Sequence, residues 1–406
     1  MPLQFGIDIL LANEPDWKSK NIAFLTNDAA QTNKGEYSRL ALMNAGFNIV
    51  KLFSPEHGIH TIGADGAKIN NTVDPITGLP VISLYGSQFM PTEADLLNIE
   101  ILLFDIPDAG TRFYTYLWSM TYWMETASKF NKQIVLLDRP NPLGGNLSMT
   151  EGPMLDENIS SFIGRFNIPV KHQCSLGELA RYINEQQNWK AHLTVIPFRG
   201  CKRNHLFYDW NLKWINPSPA LQNIEATILY PGLCFFEATN VSVGRGTPYS
   251  FEWIGATWFN IPAINMLWEN IFNGELKMET LKLSIPDSNS SYSNNDNKNN
   301  IASPTNNIME TTGIRMKVID PYSYEAVLNG LLLLKLVRDL HPKDFKWMPY
   351  PTQANPSGEN HLSLLLGIPN AEALFDAPLQ IWLQQITKLL KVSNWNKTIE
   401  PYLLYA

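Results

Sequence analysis

The stretch IEILLFDIPDAGTRFYTYLWSMTYWMETASKFNKQIVLLDRPNP, residues 99–142, decides the fold. Ile99–Phe104 is an apolar run interrupted only by Glu100, the length of a buried strand. It stops at Asp105-Ile106-Pro107-Asp108. Tyr114–Phe130 is apolar nearly all round, which predicts a deeply packed helix. Gln133–Leu137 is a second buried strand, ending at Asp138-Arg139-Pro140-Asn141-Pro142. Short apolar strands separated by helices predict a parallel sheet covered on both faces.

The same alternation extends in both directions. Toward the N-terminus, Asn21–Leu25, Phe47–Phe53 and Leu79–Leu84 read as strands, with helices over Tyr37–Ala45 and Glu93–Asn98. Toward the C-terminus, Ser175 and Glu178 have capping-box spacing and open a helix reaching about Gln187. His192–Phe198 reads as a strand, and Ile228–Phe235 as a strand-like run broken by Pro231-Gly232. After Phe251 the pattern changes. Residues 284–307 are rich in Ser and Asn and read as a mobile surface loop. Ser323–Leu340 and Pro378–Val392 read as amphipathic helices, and the closing Tyr-Leu-Leu-Tyr as a docked tail. The expected division is a catalytic α/β domain over 1–250 and a smaller α+β domain over 251–406.

The 406 residues carry a formal charge of −7, which argues against non-specific nucleic-acid binding. No run reaches the roughly 20 apolar residues of a membrane span. The N-terminus reads as neither signal peptide nor anchor. The expected protein is cytoplasmic, or periplasmic or extracellular if a signal has been removed, and a monomer or homodimer. Three separated cysteines with no CxxC pair predict neither disulfides nor structural zinc.

Strands of a parallel sheet end on one edge, so their terminal loops converge. Phe53–Asp65, FSPEHGIHTIGAD, brings Glu56, His57, His60 and Asp65 there. Burial of Glu56 beside Phe53 would suit a general acid. The His spacing of helical zinc sites is absent, and Pro55 and Gly58 oppose a helix, so His57 and His60 are expected to orient Glu56 or bind substrate. A metal site of His57, His60 and Asp65 is the weaker reading. The next loops add Asp105, Asp108, Arg112 and Tyr114, then Arg139 and Asn141. Arg112 could pair with Asp105 or Asp108, and the proline-fixed Arg139 suits a carboxylate or hydroxyl-rich ligand. Glu151 is the natural second carboxylate. Gly244-Arg245-Gly246-Thr247 lacks the Walker lysine, and the first strand is followed by TNDAAQTNKG rather than GxGxxG. No cofactor is expected.

With these segments in hand the chain resembles the NamZ-type, or YbbC-like, exo-β-N-acetylmuramidase family. FSPEHG (53–58), TGLPVISLYG (77–86), FDIPDAGTRFYTY (104–116), LDRPNPLGG (137–145), EGPML (151–155), SLGELA (175–180), LYPGLCFFEATNVSVGRGT (229–247) and YLLY (402–405) carry the resemblance. It implies a Rossmann-like domain joined to a smaller C-terminal domain, with a cleft between them. It also implies release of N-acetylmuramic acid from non-reducing ends of peptidoglycan fragments. The family's motif glutamate falls on Glu56, and a second on Glu151. The lactyl carboxylate of the sugar gives a reason for a fixed arginine, supplied by Arg139, Arg112 or Arg245. A retaining, an inverting and an acetamido-assisted route stay open. Pro107 departs from the family pattern, which keeps a non-catalytic wall-sugar binding protein as the alternative.

Overall fold

The apolar runs of the first half form strands within two residues of their sequence limits in a computed structural model that describes residues 2–271, 276–286 and 308–406. In chain order the elements are α1 (Gly6–Leu11), β1 (Ile22–Thr26), α2 (Ser38–Asn44), β2 (Ile49–Ser54), β3 (Thr72–Val73), β4 (Pro80–Ser83), β5 (Ile101–Asp105), α3 (Tyr116–Lys129) and β6 (Gln133–Leu137). There follow β7 (Glu151–Met154), β8 (Pro169–Lys171), α4 (Leu176–Gln186) and β9 (His192–Ile196).

Among the described residues the main sheet has seven strands in the order β3-β4-β2-β1-β5-β6-β9, parallel throughout except between β3 and β4. The chain builds outward from β1 through β2 to β4. It then returns to the other side of β1 and adds β5, β6 and β9. Connections leaving β1 and β5 in opposite directions open a crevice at their carboxyl ends. β7 and β8 stand apart as an antiparallel ribbon.

Both sheet faces are buried because side chains alternate with a period of two. Ala23, Leu25, Leu102, Phe104, Ile134 and Leu136 join α3 and α4 in the larger core. Their neighbours Ile22, Phe24, Ile101, Leu103, Val135 and Leu137 join Ile7, Leu10 and Leu42 of α1 and α2.

The C-terminal elements are α5 (Ile224–Leu233), β10 (Trp253–Gly255), α6 (Ile261–Ile271), β11 (Leu276–Pro286), β12 (Ile308–Val318), α7 (Ala326–Leu340), α8 (His361–Leu366), α9 (Leu379–Leu390) and α10 (Trp395–Ile399). The order β10-β12-β11 makes an antiparallel sheet. Ile314, Leu333, Trp382 and Trp395 belong to the same core as α3, so this layer is seated on one face of the main sheet. Among the described residues no helix is long and apolar enough to cross a membrane.

Two local expectations change. The Ile228–Phe235 run is helix α5 and a following 3-10 turn, not a strand. It is buried on all sides, so it carries no period to separate helix from strand. Asn223 accepts from the Ala226 N–H and fixes the helix start. In the polar 284–307 stretch, residues 284–286 complete β11, and 287–307 fall outside the described residues.

Helices α5 and α7 meet backbone to backbone. A Cβ on Gly330 would lie 2.2 Å from the Gly232 Cα, and one on Gly232 would lie 2.1 Å from the Ala326 carbonyl oxygen. Gly330→Ala is therefore expected to cost about 1–3 kcal/mol, as overpacking of a dense core does. Urea unfolding measures it, and an unchanged midpoint would mean the helices separate freely.

Candidate active site

β2 stops at Ser54-Pro55, and the chain turns at once. His57 takes a left-handed φ of 66°, uncommon for a residue with a Cβ. Its Nδ1 lies 2.9 Å from the Gly63 carbonyl oxygen, and its ring meets Tyr116 edge-on. This folds residues 57–66 back over the strand end.

Glu56 is aimed by that fold. Its side chain is only 4% exposed. Oε1 accepts from the Gly66 N–H at 2.9 Å, and Oε2 accepts from Thr115 Oγ1 at 2.7 Å. Thr115 precedes α3, so the strand-end loop and the helix start jointly orient one carboxyl group. Tyr85, just past β4, closes another side of the pocket.

The opposite wall comes from later in the chain. Tyr350 donates to Asp65 Oδ2 at 2.6 Å, and Arg245 Nη2 lies 3.4 Å from Asp65 Oδ1. Arg245 also donates through Nε to Glu237 Oε1. Partial desolvation would raise the pKa of Asp65, whose side chain is 27% exposed, but Arg245, His57 and the Tyr350 hydrogen bond outweigh it and hold the carboxyl below its ordinary value. Glu237 goes the other way, because burial pushes it up more than Arg245 pulls it down. His361 stacks on Tyr350 at 4.6 Å, and burial drives its pKa down to about 4, so the ring is neutral at pH 7. The pocket thus pairs a carboxylate kept ionised, Asp65, with a buried one whose ionisation is opposed, Glu237.

Of the residues expected from sequence, His57, Asp65, Tyr114 and Arg245 line this pocket with Glu56. The others are placed elsewhere. His60 turns to Asp28 at 3.0 Å. Asp105 is fully buried and takes a two-pronged ion pair from Arg139 with a hydrogen bond from Ser38. Asp108 lies 3.2 Å from His172. Asn141 bonds the Cys174 carbonyl oxygen and the Leu143 N–H.

Arg112 pairs with neither aspartate. Fully buried, it donates to the carbonyl oxygens of Pro153, Ile168 and Leu365. Burial without a carboxylate partner pulls its pKa down to about 9. Glu151 is not brought to Glu56. It sits on the β7–β8 ribbon, off the main sheet, where it accepts from the Val327 N–H at 2.7 Å at the start of α7, with Lys171 at 3.5 Å. A carboxylate there answers the unpaired N–H groups of a helix N-terminus.

The weaker reading, a metal set of His57, His60 and Asp65, is not assembled, because His60 turns to Asp28. One donor atom each of Glu56, His57 and Asp65 does lie within 4.8 Å of the others. Both carboxyl groups already accept hydrogen bonds from protein donors, Gly66 and Thr115 on Glu56 and Tyr350 on Asp65.

Sequence reading missed Tyr85, Thr115, Glu237, Tyr350 and His361. Tyr85, Thr115 and Glu237 lie inside the quoted family motifs. Tyr350 and His361 follow no strand of the main sheet, so edge convergence gives them no signal.

Residues 22–225 match the family described as exo-β-N-acetylmuramidase NamZ, N-terminal, and residues 228–405 its C-terminal counterpart. The chain is 37% identical over 354 residues to the peptidoglycan β-N-acetylmuramidase NamZ of Bacillus subtilis strain 168, covering 85% of this chain and 80% of that protein. Two DUF1343 family crystal structures from Bacteroides fragilis NCTC 9343 superpose over the whole chain and 99% of their own. One has a TM-score of 0.82 at 24% identity, the other 0.66 at 27%.

Arg112 links the pocket's floor loop to α8. Arg112→Met would take this donor from the Pro153 and Leu365 carbonyl oxygens, while Ile168 keeps the Leu155 N–H, so a loss of about 1–3 kcal/mol for each acceptor left unsatisfied is expected. Thermal and urea unfolding test this; a change below about 1 kcal/mol would mean water or a neighbour replaces the guanidinium.

Proposed function

We propose that this chain, which belongs to the exo-β-N-acetylmuramidase NamZ family, is a glycosidase that removes N-acetylmuramic acid from the non-reducing ends of peptidoglycan fragments, with Glu56 as proton donor. The observation that carries the assignment is the Glu56 carboxyl, buried at a strand end, oriented through both oxygens and within 4.8 Å of Asp65.

Hydrolysis of a glycosidic bond needs a group to protonate the departing oxygen and one to support the sugar cation. Glu56 takes the first role. Asp65, held ionised by Arg245, takes the second, as nucleophile or as the carboxylate that steadies the substrate's acetamido group. A separation near 5 Å is characteristic of retention, and roughly 6.5–9.5 Å of inversion. A Glu56 oxygen within 4.8 Å of an Asp65 oxygen fits the closer of these two spacings, and on that ground retention is the proposed outcome. Glu151, bonded at the start of α7, is left to a structural role. Of the three candidate arginines only Arg245 lines the pocket, and it is the group proposed to meet the lactyl carboxylate. The departure that kept a binding protein without turnover open, Pro107, lines the neighbouring crevice and not the Glu56 pocket.

Glu56→Gln is expected to abolish release of muramic acid from a chromogenic muramide while the fold survives, and wild-type product should appear first as the β-anomer by proton NMR. Turnover by the variant near wild type would remove Glu56 from the chemistry, and an initial α-anomer would remove the Asp65 role.

The Asp65 shift gives a pH prediction. Arg245 lowers the pKa of Asp65, so its removal raises it. Arg245→Met should move the acid limb of kcat/KM to higher pH by about 1–3 units, the usual effect of a close opposite charge. An acid limb left in place would show that another group sets it.

A further inference from the structure

Among the described residues, a cavity larger than the one that holds Glu56 lies beside it. A crevice of about 540 Å³ lies over the carboxyl ends of β1, β5 and β6, whereas the Glu56 pocket offers about 60 Å³. The crevice occupies the β1–β5 reversal point of the sheet, where ligands of doubly wound folds bind. Its volume falls in the range of small-molecule sites. None of the chemistry assigned above uses it.

Its lining has a definite character. Phe207, Trp210 and Trp214 form an aromatic wall, with Phe207 4.9–5.0 Å from both indoles. Arg139 and Asp108 lie at the strand ends. Asp108 is 7% exposed, and its Oδ1 has no hydrogen-bond partner. Lys34 and Lys213 are exposed at the rim. Flat rings suit the apolar faces of sugars, an unengaged carboxylate oxygen suits a hydroxyl, and two rim lysines suit carboxylates.

The crevice and the Glu56 pocket share a wall. Pro217 lines one and Ser218 the other, and Tyr116, whose ring touches His57, donates to the Pro217 carbonyl oxygen at 2.6 Å. The two cavities are thus neighbours across residues 217–218.

We infer that the crevice is a second saccharide subsite, which takes the part of the peptidoglycan fragment beyond the scissile bond and reads its carboxylates with Lys34 and Lys213. The inference rests on the muramidase reading for its ligand but not for its detection. The test compares the one-sugar chromogenic muramide with a peptide-bearing tetrasaccharide fragment, in wild type and in the Lys34→Glu/Lys213→Glu and Trp214→Ala variants. The ratio of the tetrasaccharide KM to the muramide KM should rise at least tenfold in both variants. The lysine variant alters only exposed side chains and guards against misfolding of the tryptophan variant. An unchanged ratio overturns the subsite.

Calorimetry separates the two readings. A peptide-bearing glycan that begins with N-acetylglucosamine is titrated into the Glu56→Gln chain with the rim lysines intact or reversed. Binding lost on reversal supports the crevice even if wild type fails to cleave the muramide, which would count against the muramidase reading alone. No binding to the intact crevice overturns the inference.

Discussion

The guanidinium of Arg112 ties the active-site floor to the rest of the molecule. Buried with no carboxylate partner among the described residues, it is solvated by the dipoles of three carbonyl groups, from the β7–β8 ribbon region and from α8. A buried charge tolerates no slack in such partners, because each lost hydrogen bond leaves both sides unsolvated. The three residues after Arg112 are Phe113, Tyr114 and Thr115, which line the Glu56 pocket. α8 begins with His361, on the opposite wall. One side chain therefore fixes the spacing of the two walls. Gly367 makes room for it, since a Cβ there would lie 2.3 Å from Nη2.

The site on this frame divides its charges by purpose. Asp105 and Arg139 form a closed ion pair at the sheet edge, and Asp138 caps the start of α4 through Ser175 and the Gly177 N–H. The tail joins that cap through the Tyr405 hydroxyl, and burial pushes Asp138 up to about 7. These groups hold strand ends. The proposed chemistry falls to the loop after β2, where Glu56 faces Asp65 and the cluster of Arg245, Glu237 and Tyr350. Carboxyl groups whose surroundings shift them in opposite directions, as at Asp65 and Glu237, are the pattern found where acid and base roles are divided.

Much of the sheet and one half of the site were legible in the sequence. Five- and six-residue apolar runs name parallel strands, and the rule that their loops share an edge picks out Glu56, Asp105, Asp108 and Arg139 as neighbours of that edge. The rule does not say which of two crevices each residue enters. Asp108 and Arg139 went to the β1–β5 crevice and Glu56 to the neighbouring pocket. Helix α5 was misread because a run buried on every side has no amphipathic period. Glu151 looked like a partner for Glu56 because it follows the next strand-end loop, but that loop leaves the sheet for a separate ribbon.

By itself the sequence determined the α/β class, the strand-end position of Glu56 and, through its motifs, the family. These depend on local periodicity and short ordered segments, which a linear reading preserves. Tertiary structure alone decided that Asp65 faces Glu56, that Arg245 rather than Arg112 or Arg139 lines the pocket, and that Tyr350 and His361 complete it. Those outcomes depend on how the C-terminal layer seats on one face of the sheet. That seating is set by buried surface and by the three carbonyl partners of a single arginine, which no spacing along the chain encodes.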